Sequence, residues 1–429
     1  MSRPSSASPI EWKSTLFAGI TVFCVYTCTM GLRKPFTAAT FEGLSFASVD
    51  YKIWIVLAQT AGYTLAKFYG IRFIGELTRE RRERVLIYLV SAALLALLLF
   101  ALLPAPYNLI FFVVNGFPLG IIYGVMLSYL EGRRTTEILG AMLTTSFIFS
   151  AGFTQTVGRY ILTEWNVNHW WMPFTTGVLF FIPLLLCVAL LRKIPQPSEQ
   201  DILLRTERVP MGKAARRHFT RSFLPGLILL VSIYTLFTTL RDYRTNFASN
   251  IWEELGLGNQ SAIYTTSEIP ASLFVLVVMS LLVLFRNNMT ALMVNHGLIV
   301  IGCISCVVST WAYTAGIVTP FWWITLTGMG IYMVYVPFNC MLFERLIAAF
   351  KYSGNAAFIV YLADSVAYIG SDAVLLFRNF AHVDISWSGF YIQLVYVVSG
   401  AGIALSLLSA GYFRRKYRRQ VDNTPPAYV

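Results

Sequence analysis

The stretch YTCTMGLRKPFT at Tyr26–Thr37 recurs 208 residues later as YTLFTTLRDYRT at Tyr234–Thr245. One shift aligns Tyr26 with Tyr234, Thr27 with Thr235, Leu32 with Leu240, Arg33 with Arg241 and Thr37 with Thr245. Ser14/Ser222, Leu16/Leu224 and Ile20/Ile228 extend the register upstream without a gap. Each copy sits in an apolar run long enough to cross a bilayer. Each holds an arginine there, which costs about 2.5–3.5 kcal/mol at the centre of a span on insertion scales. Chance rarely places two such arginines in register, so the chain reads as two related halves.

Outward from this repeat, 429 residues with 56% apolar content, mean hydropathy +0.63 and only 13% charge describe a membrane protein. At roughly 20 residues per span the apolar content supplies about twelve helices. The expected spans are 14–41, 50–71, 84–104, 108–130, 135–161, 170–192, 222–248, 261–285, 289–314, 318–347, 353–379 and 388–412. The fold class is thus all-α integral membrane, with twelve helices in two pseudo-symmetric six-helix bundles. The bundles occupy residues 1–192 and 222–429, joined by a polar connection at 193–221. Neither disorder, nucleic-acid binding nor a disulfide scaffold suits this composition. The six cysteines all lie in apolar runs as small hydrophobes, and no cleavable signal precedes the first span.

A net charge of +12 is mostly a topology signal. Of the 33 Lys and Arg, 25 fall on the side of the termini and the central connection, among them Arg3, Arg133, Arg134 and Lys351. Only Lys52, Arg159 and Arg378 fall on the other. The positive-inside rule then puts both termini in the cytoplasm, in a bacterial inner membrane. Trp170, Trp171, Trp322, Trp323 and Trp387 fall where helices re-enter from the outer side and read as an interfacial belt.

Helical spacing sets Tyr26 and Thr37 on the face of Arg33, and Tyr234 and Thr245 on that of Arg241. Either each arginine is locked to a carboxylate, or the pair is a two-armed anion clamp whose planar forks bond two oxygens at once. Further charges lie at membrane depth: Lys34, Lys67 and Arg244, against Asp242, Glu268, Asp364 and Asp372. Spans one, two, seven and eight together carry +3, reduced to +1 if the two aspartates of span eleven face the same cavity. Lys34 and Asp242 hold equivalent places in the repeat, as a static pair or one that switches. Pro270 after Glu268 allows a local break in its helix. His296 reads as a hydrogen-bonded core or lipid-boundary residue, and Asn115, Pro118, Gly120 and Gly124 as close-packing and bend positions.

Leu32-Arg33-Lys34-Pro35-Phe36 resembles the first helix of the organophosphate:phosphate antiporters of the major facilitator superfamily, the glycerol-3-phosphate and hexose-phosphate transporters. Tyr63-Thr64-Leu65-Ala66-Lys67-Phe68 resembles their second helix, Leu240-Arg241 their seventh-helix arginine and Ser267-Glu268-Ile269-Pro270 their eighth-helix acidic stretch. Glu131-Gly132-Arg133-Arg134 and Glu344-Arg345 look like the superfamily's charged loops. The resemblance implies the major facilitator fold, with Arg33 and Arg241 on the substrate phosphate and Lys67 as an accessory cation. Departures are the 70–84 loop, where Glu76 stands in for the usual aspartate, and Asp242-Tyr243-Arg244. The sequence is also similar to an uncharacterised bacterial membrane family with R-K-P-F, L-E-G-R and W-M-P stretches.

The expectation is a secondary transporter of a small organic anion, a phosphate ester or phosphate, working by alternating access. Its binding residues would be Arg33, Arg241, Lys67, Tyr26, Tyr234, Thr37 and Thr245, with Lys34, Asp242, Arg244, Glu268 and Asp364 in coupling or gating. The rival is a transporter-like sensor of such an anion, signalling through its cytoplasmic loops. No enzyme motif, metal set or cofactor site is read. The expected partners are the solute and the bilayer, without nucleic acid, around a monomer.

Overall fold

A computed structural model describes residues 12–130, 135–195, 213–282, 284–350, 352, 357–380 and 385–422. Arg3, the Glu131–Arg134 loop, most of the 193–221 connection, Lys351 and the residues after Asp422 lie outside the described residues. The helices are α1 (Trp12–Arg33), α2 (Tyr51–Glu76), α3 (Arg79–Leu102), α4 (Ile110–Leu130), α5 (Thr136–Thr163), α6 (Met172–Leu191), α7 (Lys213–Asn246), α8 (Ala248–Glu254), α9 (Ile263–Leu282), α10 (Asn288–Thr314), α11 (Pro320–Cys340), α12 (Leu342–Ala349), α13 (Ala357–Phe380) and α14 (Trp387–Asp422). All but the short α8 and α12 reach 20 residues, about 30 Å at 1.5 Å per residue, the thickness of a hydrocarbon core.

Both halves build the same bundle. In the first, α1 packs on α5 and α6, α2 on α4, and α3 on α4 and α6. Replacing each by its repeat partner gives the second: α7 on α13 and α14, α9 on α11, and α10 on α11 and α14. The halves meet along α5–α9 and α2–α13, which are themselves equivalent under the repeat. Gly62 of α2 and Gly116 of α4 let backbones touch, since a methyl on either would overlap the other helix's main chain.

Ten of the described helices are long and apolar enough to cross a membrane. α2 and α13 are not among those ten, and they carry Lys52, Lys67, Asp364 and Asp372. Those two helices face each other across the half-interface, so their polarity is spent inside. Lipid-facing positions such as Leu95, Ile182, Leu273, Ile301 and Leu407 are apolar and exposed.

Several expectations are corrected. The first span does not run to residue 41: α1 stops at Arg33 and the chain continues as a 3₁₀ turn over Pro35–Ala38. Pro35 has no N–H to give to an α-helix and its ring would strike the carbonyl one turn back. The tenth span ends at Cys340, after which α12 buries Leu342, Phe343, Leu346 and Ile347 on one side. α9 passes through Pro270 unbroken. Of the expected belt, Trp322 and Trp171 are exposed, but Trp323 is fully buried, stacked on Tyr313 at 4.1 Å and donating to Thr310. His296 is a core residue, with Nδ1 2.8 Å from Leu292 O and Nε2 2.9 Å from Ser409 Oγ.

Candidate functional site

Because α1 ends at Arg33, level with the middle of α2, its last carbonyls are stranded at membrane depth. Two amides take them up. Asn115 of α4 donates to Leu32 O at 3.2 Å and to Ala93 O at 3.0 Å, and its own oxygen accepts from Gln59 at 2.8 Å. Gln59 of α2 also donates to Arg33 O at 2.7 Å. Asn115 is therefore more than a packing position. It holds open the break that presents Arg33.

The Arg33 guanidinium stands on the ring of Tyr63, 4.0 Å from its centroid, with a buried Nε that has no partner. Among the described residues it makes no ion pair and no hydrogen bond. It lines a small cavity between the halves with Lys34, Gln59, Thr60, Tyr63, Asp242, Asn246 and Tyr368. The cavity has room for about one water molecule. Arg241 is the mirror image in one respect, standing 4.1 Å over the ring of Tyr335. In the other it differs: Asp242 Oδ1 takes its Nη2 at 2.7 Å and its Nε at 3.0 Å. The repeat places Lys34 where the second half has Asp242, so only Arg241 carries its own counter-charge.

Lys34 and Asp242 line the same cavity without joining. Lys34 Nζ donates to Asn246 Oδ1 at 2.5 Å, and Ser371 donates to Asp242 Oδ2 at 3.3 Å. Arg33, Lys34 and Arg241 against Asp242 leave two positive charges in excess, one if Asp372 beside Asp242 is ionised. Lys67 is paired instead with Asp364 across the halves, Nζ to Oδ2 at 3.2 Å. Tyr234 donates to Asp364 Oδ1 at 2.5 Å and stacks on Tyr335. Tyr26 packs edge-on to Tyr123, whose ring lies 5.5 Å from Lys67 Nζ.

The two threonines leave this group. Thr37, beyond the helix break, donates to Lys34 O and accepts from Gln155, so the helical spacing that set it beside Arg33 does not apply. Thr245 lines a second cavity with Gln155, Tyr264, Ser267, Arg244 and Glu268. There Arg244 Nη1 lies 2.5 Å from Glu268 Oε1 and Nη2 donates to Ile324 O at 3.1 Å.

Toward the end of the bundle remote from the termini, polar links close the halves. Lys52, counted from the sequence on the side away from the termini, is only 2% exposed. It donates to Ser249 Oγ and Asn250 Oδ1 of α8, both at 2.7 Å. Gln155 spans Thr37 Oγ1 and Thr245 O, Thr156 meets Thr265 at 2.6 Å, and Arg159 pairs with Glu253 at 2.8 Å. Sequence reasoning missed Gln59, Gln155, Lys52, Tyr335 and Tyr368. The two glutamines could have been found as amides within apolar runs, while Lys52 and the tyrosines carried no local signal.

A family model covers residues 35–416. The chain belongs to DUF5690, a family of unknown function. No functionally curated protein matches it. Among solved structures the chain is similar to a mutant form of a peptide transporter POT, with a TM-score of 0.62 and 13% identity over 97% of this chain and 96% of the other. It is also similar to a D-xylose–proton symporter, with a TM-score of 0.56 and 14% identity over 93% and 97%. This DUF5690 member thus has the major facilitator fold. At such identity the likeness speaks to fold alone.

Proposed function

We propose that the protein is a secondary transporter of a small organic anion, a phosphate ester or phosphate, cycling by alternating access of its two bundles. The observation that carries this is the Arg33 guanidinium, buried between the halves without a carboxylate partner among the described residues. A buried charge without a partner costs several kcal/mol, and an anion that offers two oxygens to its fork removes that cost. Lys34 adds a point charge on the same cavity, and Tyr63 and Tyr368 give it aromatic walls. Arg241, held ready by Asp242, is the second arm once the anion competes for it. Lys67 and Tyr234 take part through Asp364 rather than as free ligands. Thr37 and Thr245 belong to the closure around the site. The fold of two sugar- and peptide-carrying transporters supports the transport reading without naming the solute.

Thermal unfolding of purified protein against inorganic phosphate, glycerol 3-phosphate, hexose phosphates and carboxylates tests the site, because a ligand stabilises by RT ln(1 + [L]/Kd). Counterflow of the stabilising anion in proteoliposomes tests transport. Stabilisation without flux would replace transport with sensing, and no stabilisation by any anion would remove the clamp.

A further inference from the structure

The second cavity holds groups that the anion site does not use. Glu268 and Arg244 are both buried, at 8% and 3% exposure. Their contact uses one atom of each, and Glu268 Oε2 and Arg244 Nε remain buried with no partner among the described residues. Both residues line a space with room for about one water molecule. A carboxylate meant only as structural glue would be expected to have both oxygens engaged.

What covers Glu268 comes from the other half. Gly152 of α5 backs directly onto it: a Cβ there would stand 2.8 Å from Glu268 Cγ. Gln155, one turn on, lines the same cavity, and the Thr156–Thr265 bond ties α5 to α9 beside it. Because the α5–α9 contact joins the two bundles, a rocking motion that parts α5 from α9 uncovers Glu268. The exposure of this carboxyl is thereby tied to the state of the bundles.

Resting on the transport reading above, we infer that Glu268 is a proton-carrying site, and that the packing of α5 across it switches the side from which it exchanges protons. A proton from one compartment adds to Oε2 and gives the neutral acid. The same proton leaves to the other compartment after the bundles rock, restoring the carboxylate. Arg244 stays charged throughout, held by Ile324 O. Protonation of Glu268 therefore adds one positive charge to the half-interface, one turn along α7 from Arg241, so proton and anion favour each other's binding. Other groups face the pair: Tyr332 of α11, Tyr391 of α14 and Tyr264 of α9. From α5 no ionisable group touches Glu268 among the described residues; Arg159, farther along, is paired with Glu253.

The test is uptake of radiolabelled inorganic phosphate and glycerol 3-phosphate into proteoliposomes, with and without an inward proton gradient, and with a sodium gradient as control. One pH unit should accumulate a solute coupled to one proton about tenfold. E268Q, checked for folding by size exclusion, should retain counterflow and lose the gradient-driven accumulation, and Glu268→Asp should recover it. Accumulation unchanged in E268Q, or driven in wild type by sodium alone, overturns the assignment while leaving the transporter reading intact. Absence of wild-type counterflow overturns the transporter reading instead. Infrared pH-difference spectra without any anion then judge Glu268 by itself. A carboxylic-acid band that appears between about pH 9 and about pH 5 and is missing in E268Q supports the proton site, and no such band overturns it.

Discussion

The Lys67–Asp364 pair is one of the ion pairs that join the two bundles, and its removal should show whether the halves are coupled there. Both side chains are almost wholly buried, at 9% and 8% exposure, with Nζ 3.2 Å from Oδ2. Removing the lysine as Lys67→Met leaves a buried carboxylate held, among the described residues, by the Tyr234 hydroxyl, which should cost about 3–5 kcal/mol. Removing the charge of the aspartate as Asp364→Asn leaves a lysine that still faces the rings of Tyr63 and Tyr123, at 5.2 and 5.5 Å. Those rings return about 0.5–2 kcal/mol, so the aspartate change should be the milder one. The double variant removes both charges and should recover most of the loss, giving a coupling of at least about 2 kcal/mol. Denaturant unfolding in detergent, followed by tryptophan fluorescence, measures all four proteins. Additivity of the two single changes within about 0.5 kcal/mol would show that the pair does not join the halves, and a milder Lys67→Met than Asp364→Asn would refute the aromatic compensation.

Other outcomes follow from the same geometry. Asn115→Leu removes the bonds to Leu32 O, Ala93 O and Gln59 and should destabilise by about 2–4 kcal/mol at roughly 1 kcal/mol per lost bond; a near-neutral value in the same unfolding assay would mean that the end of α1 needs no amide. Arg33→Lys keeps the charge but loses the fork, so the anion-induced thermal shift should vanish, whereas Arg241→Lys, already partnered by Asp242, should retain part of it; equal loss would restore the symmetric clamp. Lys52→Met should weaken the closure remote from the termini and speed labelling of a cysteine placed at Ser249 by a maleimide, and unchanged labelling would sink that role. A cysteine placed between residues 196 and 212 should resist an impermeant maleimide in intact cells, and its labelling there would reverse the orientation.

The amino-acid sequence alone was enough for the number and order of long helices, for their division into related halves, and for two arginines in equivalent places. Those properties depend on apolar run length and on local register, which the chain writes residue by residue. For His296 it left core and lipid boundary open, and the bonds to Leu292 O and Ser409 place it in the core. Partnership was decided elsewhere. Thr37 looked like a neighbour of Arg33 because helical spacing was extended through Pro35, where α1 had already stopped. Lys34 and Asp242 looked like a pair because the repeat makes them equivalent, yet each found a closer partner in Asn246 and Arg241. Lys67 with Asp364, Lys52 with α8 and Gly152 over Glu268 join residues between about 100 and 300 positions apart along the chain. Which charge is left without a partner depends on how two bundles meet, and in lipid that meeting rests on close packing and satisfied polar groups rather than on hydropathy. That Arg33 has no carboxylate partner among the described residues is therefore a property of the tertiary structure, while the presence of an arginine at that depth was legible from the first reading.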